Sequence, residues 1–166
     1  MVSSVLLLRV TKRKSSWEDA VGFDESFRTE FRAKDGSFDL NLSVYEIDDY
    51  DERVIQTYAE HAAGLGLNPP RGATNLDLSY PERPVVKTPG TSIFQFTKHA
   101  HRELPFIDKQ ELEGFARRLY DEVCIRSRKT TKQQLREYVR SRVAVNEDTE
   151  WIAHCNAHPK WGQLTR

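Results

Sequence analysis

The chain of 166 residues is short of the side chains that build covalently or metal-clipped scaffolds. It has two cysteines, Cys124 and Cys155, and a single methionine. Two cysteines give no disulfide framework, so a reducing cytoplasm is the expected compartment. Net charge is also absent, with 25 basic residues against 25 acidic, and no overall field draws the chain to nucleic acid or to a membrane. The apolar run Val5–Leu8 is far too short to span a bilayer. It also lacks the basic flank and the length of a signal peptide, so a soluble protein without membrane contact is expected. No G-x-S-x-G elbow, Walker loop, dinucleotide glycine fingerprint or kinase signature occurs, which removes the common nucleophile and phosphate-cradling chemistries. No internal repeat or low-complexity tract appears.

What is present is a polar but globular mixture. Hydrophobic residues make up 38% and charged residues 30%, and eight Phe, six Tyr and three Trp are spread along the chain. That length and mixture predict one domain over residues 1–166 with a real core. Val5–Val10 is apolar on both faces, as in a strand covered on both sides. Asp35-Gly36 between two alternating runs is a strong hairpin signal, because a type I′ turn needs positive φ at both central residues. The implied register sets Arg32 opposite Asp39 and puts Phe27, Phe31, Leu40, Leu42 and Val44 on one side. A stripe of Val54, Ile55, Tyr58, Ala59 and Ala62 predicts a helix over 52–63 with Gly64 and Gly66 as its stop. Residues 68–91 hold five of the seven prolines and read as an irregular segment, either a binding loop or a wrap over the core.

The C-terminal third reads as helical. Leu112, Phe115, Ala116, Leu119 and Tyr120 form one stripe, with Asp108 as N-cap and Glu111 three residues on. A second helix starts at Thr130 or Thr131 and has Leu135, Tyr138, Val139 and Val143 inside. The fold class that follows is α+β: a mainly antiparallel sheet with strands near 4–10, 26–34, 37–46, 73–79 and 92–98, and helices near 52–63, 108–127 and 131–143 packed on one face.

Three constellations carry possible chemistry. The histidines cluster as His99-x-His101 and His154-Cys155-x-x-His158. On a strand the first pair shares a face, and on a helix the second does. Together they would make a tetrahedral zinc set, with Glu103 as the general base of a zinc-dependent hydrolase. The alternative is ordinary surface histidines beside a partly buried cysteine. Cys124 falls on or next to a buried stripe and reads as inert, whereas Cys155 is the thiol with a candidate activating partner, His158. Second, Arg126, Lys129, Lys132, Arg136 and Arg140 form a basic patch, the last four as a helical stripe suited to nucleic-acid phosphates. Their aliphatic stems would otherwise cover the rim of the core. Third, Asp48, Asp49, Asp51 and Glu52 are acidic; they match no calcium loop and suit the positive end of the next helix.

Acidic and basic regions on one neutral chain fit electrostatically steered docking to a protein partner, head-to-tail self-association, or pairing within the monomer. The leading expectation is therefore a small macromolecule-binding protein, of adaptor, regulatory or inhibitor type, with no catalysis of its own and no cofactor. The zinc hydrolase and the nucleic-acid binder are its alternatives.

Overall fold

In the computed structural model, the described residues are 5–11, 23, 27, 30–32, 36–70, 72–78, 85–122, 127–144 and 148–166, with residues 72–74 described for their backbone. The fold is α+β, built on a six-stranded antiparallel open sheet. The strands are β1 (Val5–Val10), β2 (Asn41–Asp48), β3 (Gly72–Asp77), β4 (Val86–Lys87), β5 (His101–Pro105) and β6 (Ser127–Thr131), in the order β4-β5-β2-β1-β3-β6. The described α-helices are α1 (Asp51–Gly64), α2 (Gln95–Ala100), α3 (Lys109–Asp121), α4 (Lys132–Ala144), α5 (Thr149–Ala157) and α6 (Pro159–Gly162). Among the described residues, no helix is long and apolar enough to cross a membrane.

Strand periodicity divides the core between the two faces of the sheet. Leu7, Leu42, Val44, Leu76 and Leu104 face α3, where Leu112, Phe115, Ala116 and Leu119 meet them together with Phe27 and Phe31. Leu6, Leu8, Tyr45 and Ile47 face the other way and pack with Val54 of α1 and Ala100 of α2. Beyond α1 a third cluster joins Ala59, Ala62 and Ala63 to Leu135, Tyr138, Val139, Trp151 and Trp161. The helices thus lie on both faces, which corrects the expectation of one. Alternate residues of β1 and β2 are apolar on each side, and both sides need cover.

The hairpin expectation is corrected on its first arm. Phe23, Phe27, Glu30 and Phe31 are helical, and the following strand begins at Asn41. The chain still turns near Gly36, whose φ is +89°, but Arg32 bridges Phe38 instead of facing Asp39. Asp35 and residues 33–34 lie outside the described residues. A spacing of four satisfies both periods, so Phe27 and Phe31 face inward in a strand and in a helix alike. Glu30 separates the two readings. It would point away from the phenylalanines on a strand, but on the helix it is fully buried beside them.

Residues 92–98 also change type. Phe94, Thr97 and Ala100 are buried at intervals of three while Ile93 is exposed, the pattern of the short helix α2. The neighbouring strand falls instead on His101–Pro105. α3 ends at Asp121, and residue 127, expected as its end, starts β6. There the backbone of Ser127–Thr131 pairs with β3.

The helix ends follow local chemistry. The Asp108 side chain accepts from the Glu111 backbone N–H at 2.9 Å, and Thr131 and Gln134 exchange reciprocal bonds at the start of α4. Asp108→Ala should lower stability by about 1 kcal/mol, the usual loss for an N-cap. Asp108→Asn should lose only a few tenths; urea unfolding of both variants measures it. α1 closes on Gly66 at φ +71°. Its N–H donates to the Ala63 carbonyl and that of Leu67 to Ala62, the two bonds of a Schellman stop.

Candidate functional site

β2, β5, the C-terminal half of α1 and the segment running from Thr88 to Ser92 enclose a cavity of about 310 Å³. That is the lower end of the range for small-molecule sites. Its floor follows from the pleat. Ser43 and Tyr45 on β2 and His101 and Glu103 on β5 point to the α1 face, because Ser43 pairs with Glu103 and Tyr45 with His101 in the antiparallel register. The roof is Glu60, His61 and Gly64 of α1, and the wall is Pro89, Gly90, Thr91 and Ser92. A side chain at position 90 would place its Cβ 3.0 Å from the Cβ of His101, so glycine lets this wall lie directly against the imidazole.

Several polar groups of the cavity are held from behind. His101 Nδ1 lies 3.0 Å from the Thr88 carbonyl oxygen and 3.1 Å from its hydroxyl. A carbonyl only accepts, so in the neutral imidazole the proton is on Nδ1 and Nε2 is the acceptor. Ser43 Oγ stands 2.6 Å from that Nε2 and donates to it. Arg9 fixes the backbone beneath, its Nη1 donating to the Ser43 carbonyl at 3.0 Å. The Tyr45 hydroxyl lies 2.8 Å from His61 Nδ1, and the Tyr45 ring stands edge-on to both His61 and His101.

Burial sets the charge states. Desolvation takes His61 down to about 4, with smaller contributions from Arg9 and His101, and pushes Tyr45 up to about 12. The pair is therefore uncharged near neutrality, with the phenol donating to a bare Nδ1. Glu60 is 3% exposed, and burial pushes it up to about 7. Bonds from Gln56 Nε2 and from the Thr97 backbone N–H and hydroxyl favour its ionised form and limit that rise. Two carboxyl groups, Glu60 and Glu103, line the cavity, and no described lysine or arginine does.

The residues expected from sequence are placed as follows. His101 and Glu103 share the cavity, but His99 does not join them. It is exposed in α2, before the strand starts. His154 is buried among Phe94, Trp151 and Trp161, and His158 stacks on it at 4.6 Å. Among the described residues, no three His, Cys, Asp or Glu side chains are grouped to hold a metal ion. The four histidines are not brought into one zinc set, and both ring nitrogens of His101 are already engaged. Cys155 is a buried thiol whose pKa is raised by desolvation, which opposes reactivity.

The acidic and basic regions meet each other in part. Asp49 pairs with Arg128 at 3.0 Å and Glu52 with Arg142 at 2.8 Å, while Asp48 and Asp51 are exposed. Arg140 reaches back to the carbonyls of Leu164 and Arg166 and secures the C-terminal turn. Lys129, Lys132 and Arg136 are exposed, and Arg126 lies outside the described residues.

Ser43, Tyr45, Glu60, His61 and Thr88 are the site residues that the sequence reading missed. The expected buried faces are the Leu40, Leu42 and Val44 side of the hairpin and the Val54–Ala62 stripe. Ser43 and Glu60 therefore fall on faces expected to be polar, and nothing marks them. Ser43 interrupts the side of β2 carrying Tyr45 and Ile47, and Gln56, Thr57 and Glu60 sit within the buried side of α1. No protein-family model matches this chain, and neither a curated protein nor a solved structure matches it.

Proposed function

We propose that the chain is a binding protein for a small polar molecule, neutral or cationic, held in the cavity between β2, β5 and α1. The observation that carries this reading is the lining itself. Hydrogen-bonding groups converge on a half-open pocket, with Ser43, Tyr45, Glu60, His61 and His101 each held by a neighbour. Two carboxyl groups and no described lysine or arginine are among them. A site whose donors and acceptors are fixed beforehand loses little entropy on binding. A lining with carboxylates and no lysine or arginine disfavours anions. The partner on this reading is a small molecule in place of the macromolecule expected from the charge asymmetry. Asp49–Arg128 and Glu52–Arg142 pair part of that asymmetry within the monomer. The compartment we assign is the cytoplasm, in keeping with the free thiol of Cys155.

Thr91 supplies the test, since it is exposed and lines the cavity. A ligand-observed NMR screen should give hits among neutral and amine-bearing fragments, and few among carboxylates and phosphates. Thr91→Trp, which fills the mouth, should weaken those hits about tenfold or more, equivalent to about 1.4 kcal/mol of binding free energy. Equal binding to the variant, or a preference for anions, would overturn the reading.

A further inference from the structure

We propose that Ser43 and His101 are a nucleophile and its general base, and that the cavity hydrolyses small neutral or amine-bearing carboxylic esters. This rests on the binding reading above, because the ester must first occupy that cavity. Three observations carry it. The Ser43 hydroxyl and His101 Nε2 are 2.6 Å apart, within the reach that a nucleophile–base pair needs. The other nitrogen of the ring is oriented by the Thr88 carbonyl at 3.0 Å, which selects the tautomer with a free Nε2. A carboxylate has that role in a Ser-His-Asp triad. Both side chains line the cavity instead of being sealed in the core, and both stand on paired strands of one sheet, the rigid support that a reacting constellation needs.

The reaction balances with water as the only co-reactant. Ser43 Oγ bonds to the ester carbonyl carbon as its proton passes to His101 Nε2, and the imidazolium keeps its Nδ1–H on the Thr88 carbonyl. When the tetrahedral adduct collapses, the ester C–O bond breaks and the departing alcohol oxygen takes the proton from Nε2. Water then gives a proton to Nε2 and attacks the acyl carbon. The bond to Oγ breaks, and Oγ recovers the proton as the carboxylic acid leaves. A lining with Glu60 and Glu103 and no described lysine or arginine favours departure of the carboxylate product.

The test uses the full chain and an uncharged alkyl fluorophosphonate, which phosphonylates activated serines with loss of fluoride. Mass spectrometry should find one adduct per chain, on Ser43, and 4-nitrophenyl acetate should be turned over. Ser43→Ala should abolish both. His101→Gln should slow labelling about 100-fold or more, the usual contribution of a general base. Ser43→Cys keeps a nucleophile at the same place if the alanine variant unfolds. Its alkylation by iodoacetamide should then be faster than in the Ser43→Cys/His101→Gln double variant. An unlabelled Ser43 in protein that still binds fragments sensitive to Thr91→Trp overturns the chemistry and leaves the binding reading standing. Labelling indifferent to His101 overturns it too. Loss of fragment binding together with labelling overturns both.

Discussion

Arg9→Met should destabilise the protein by about 3–5 kcal/mol, the range for stranding one member of a buried ion pair. Arg9 and Glu30 are 5% and 0% exposed, and the guanidinium Nε reaches the Glu30 carboxylate at 2.7 Å. Its Nη2 donates to the Glu30 carbonyl, and the guanidinium lies 5.8 Å from the centre of the Phe31 ring. Removing the cation takes the Arg9 charge away from a carboxylate buried in an apolar layer. The double variant Arg9→Met/Glu30→Leu should recover most of the loss, because apolar side chains of similar volume replace such pairs at little or no net penalty. Urea unfolding of the wild type, the single variant and the double variant closes the cycle. A single variant within 1 kcal/mol of wild type would contradict the assignment. Arg9 also holds the Ser43 carbonyl, so fragment binding at the opposite face should weaken with Arg9→Met.

Glu60→Gln should change the pH dependence of stability. Burial holds the native carboxyl near 7 against an ordinary 4.5. Between those values the folded state binds more protons than the unfolded state, and stability falls as pH rises. The contribution is fully present below about 4.5 and lost as pH climbs through 7. The shift corresponds to about 3 kcal/mol, at 1.36 kcal/mol per unit. His61 works in the opposite sense. Its pKa is lowered from 6.5 to about 4, so stability is lost as pH falls through that interval. The two slopes oppose each other over about pH 4.5–6.5. The wild type should therefore respond weakly there, whereas Glu60→Gln should gain stability as pH rises. Relative to wild type, the variant should improve by about 3 kcal/mol from pH 4.5 to 8. Replacing the carboxyl also alters its bond with Gln56, but that offset is independent of pH and drops out of the comparison. Parallel curves for the two proteins would show that Glu60 titrates normally.

Much of the fold was legible because it depends on period and on caps. β1, α1 with its Gly66 stop and the Asp108 cap of α3 all follow from residues within a few positions of one another. The misreadings share a cause. Phe27 and Phe31 repeat at four, an interval that strand and helix periods both allow, and Glu30 could be placed only by a partner 21 positions away. Phe94-Gln95-Phe96 alternates like a strand, yet Thr97 and Ala100 are the residues that meet Glu60 and the core. Ser127–Thr131 has little apolar patterning, and its strand character comes from the backbone of β3.

The candidate site was legible only at His101 and Glu103. Histidine spacing drew the reading toward metal, because a local pattern can be counted. What gives His101 its character is the Thr88 carbonyl, a backbone group that carries no sequence signal. Ser43 is one serine among several until β2 and β5 pair. Glu60 looks like an exposed helix acid until Thr97 closes over it.

None of the described strand pairings is a tight hairpin. β1 reaches forward to Asp48 and Asp77, β2 to Pro105 and β3 to Thr131. Chain-closure entropy must be lost before such contacts form, and topologies of this kind fold in milliseconds to seconds instead of microseconds. The Ser43–His101 contact spans 58 positions and joins two of these distant strands. It can form only once the sheet has closed around β2, so an adduct on Ser43 would also count the chains that have finished folding. In a refolding time course, labelling should lag behind the recovery of helical signal.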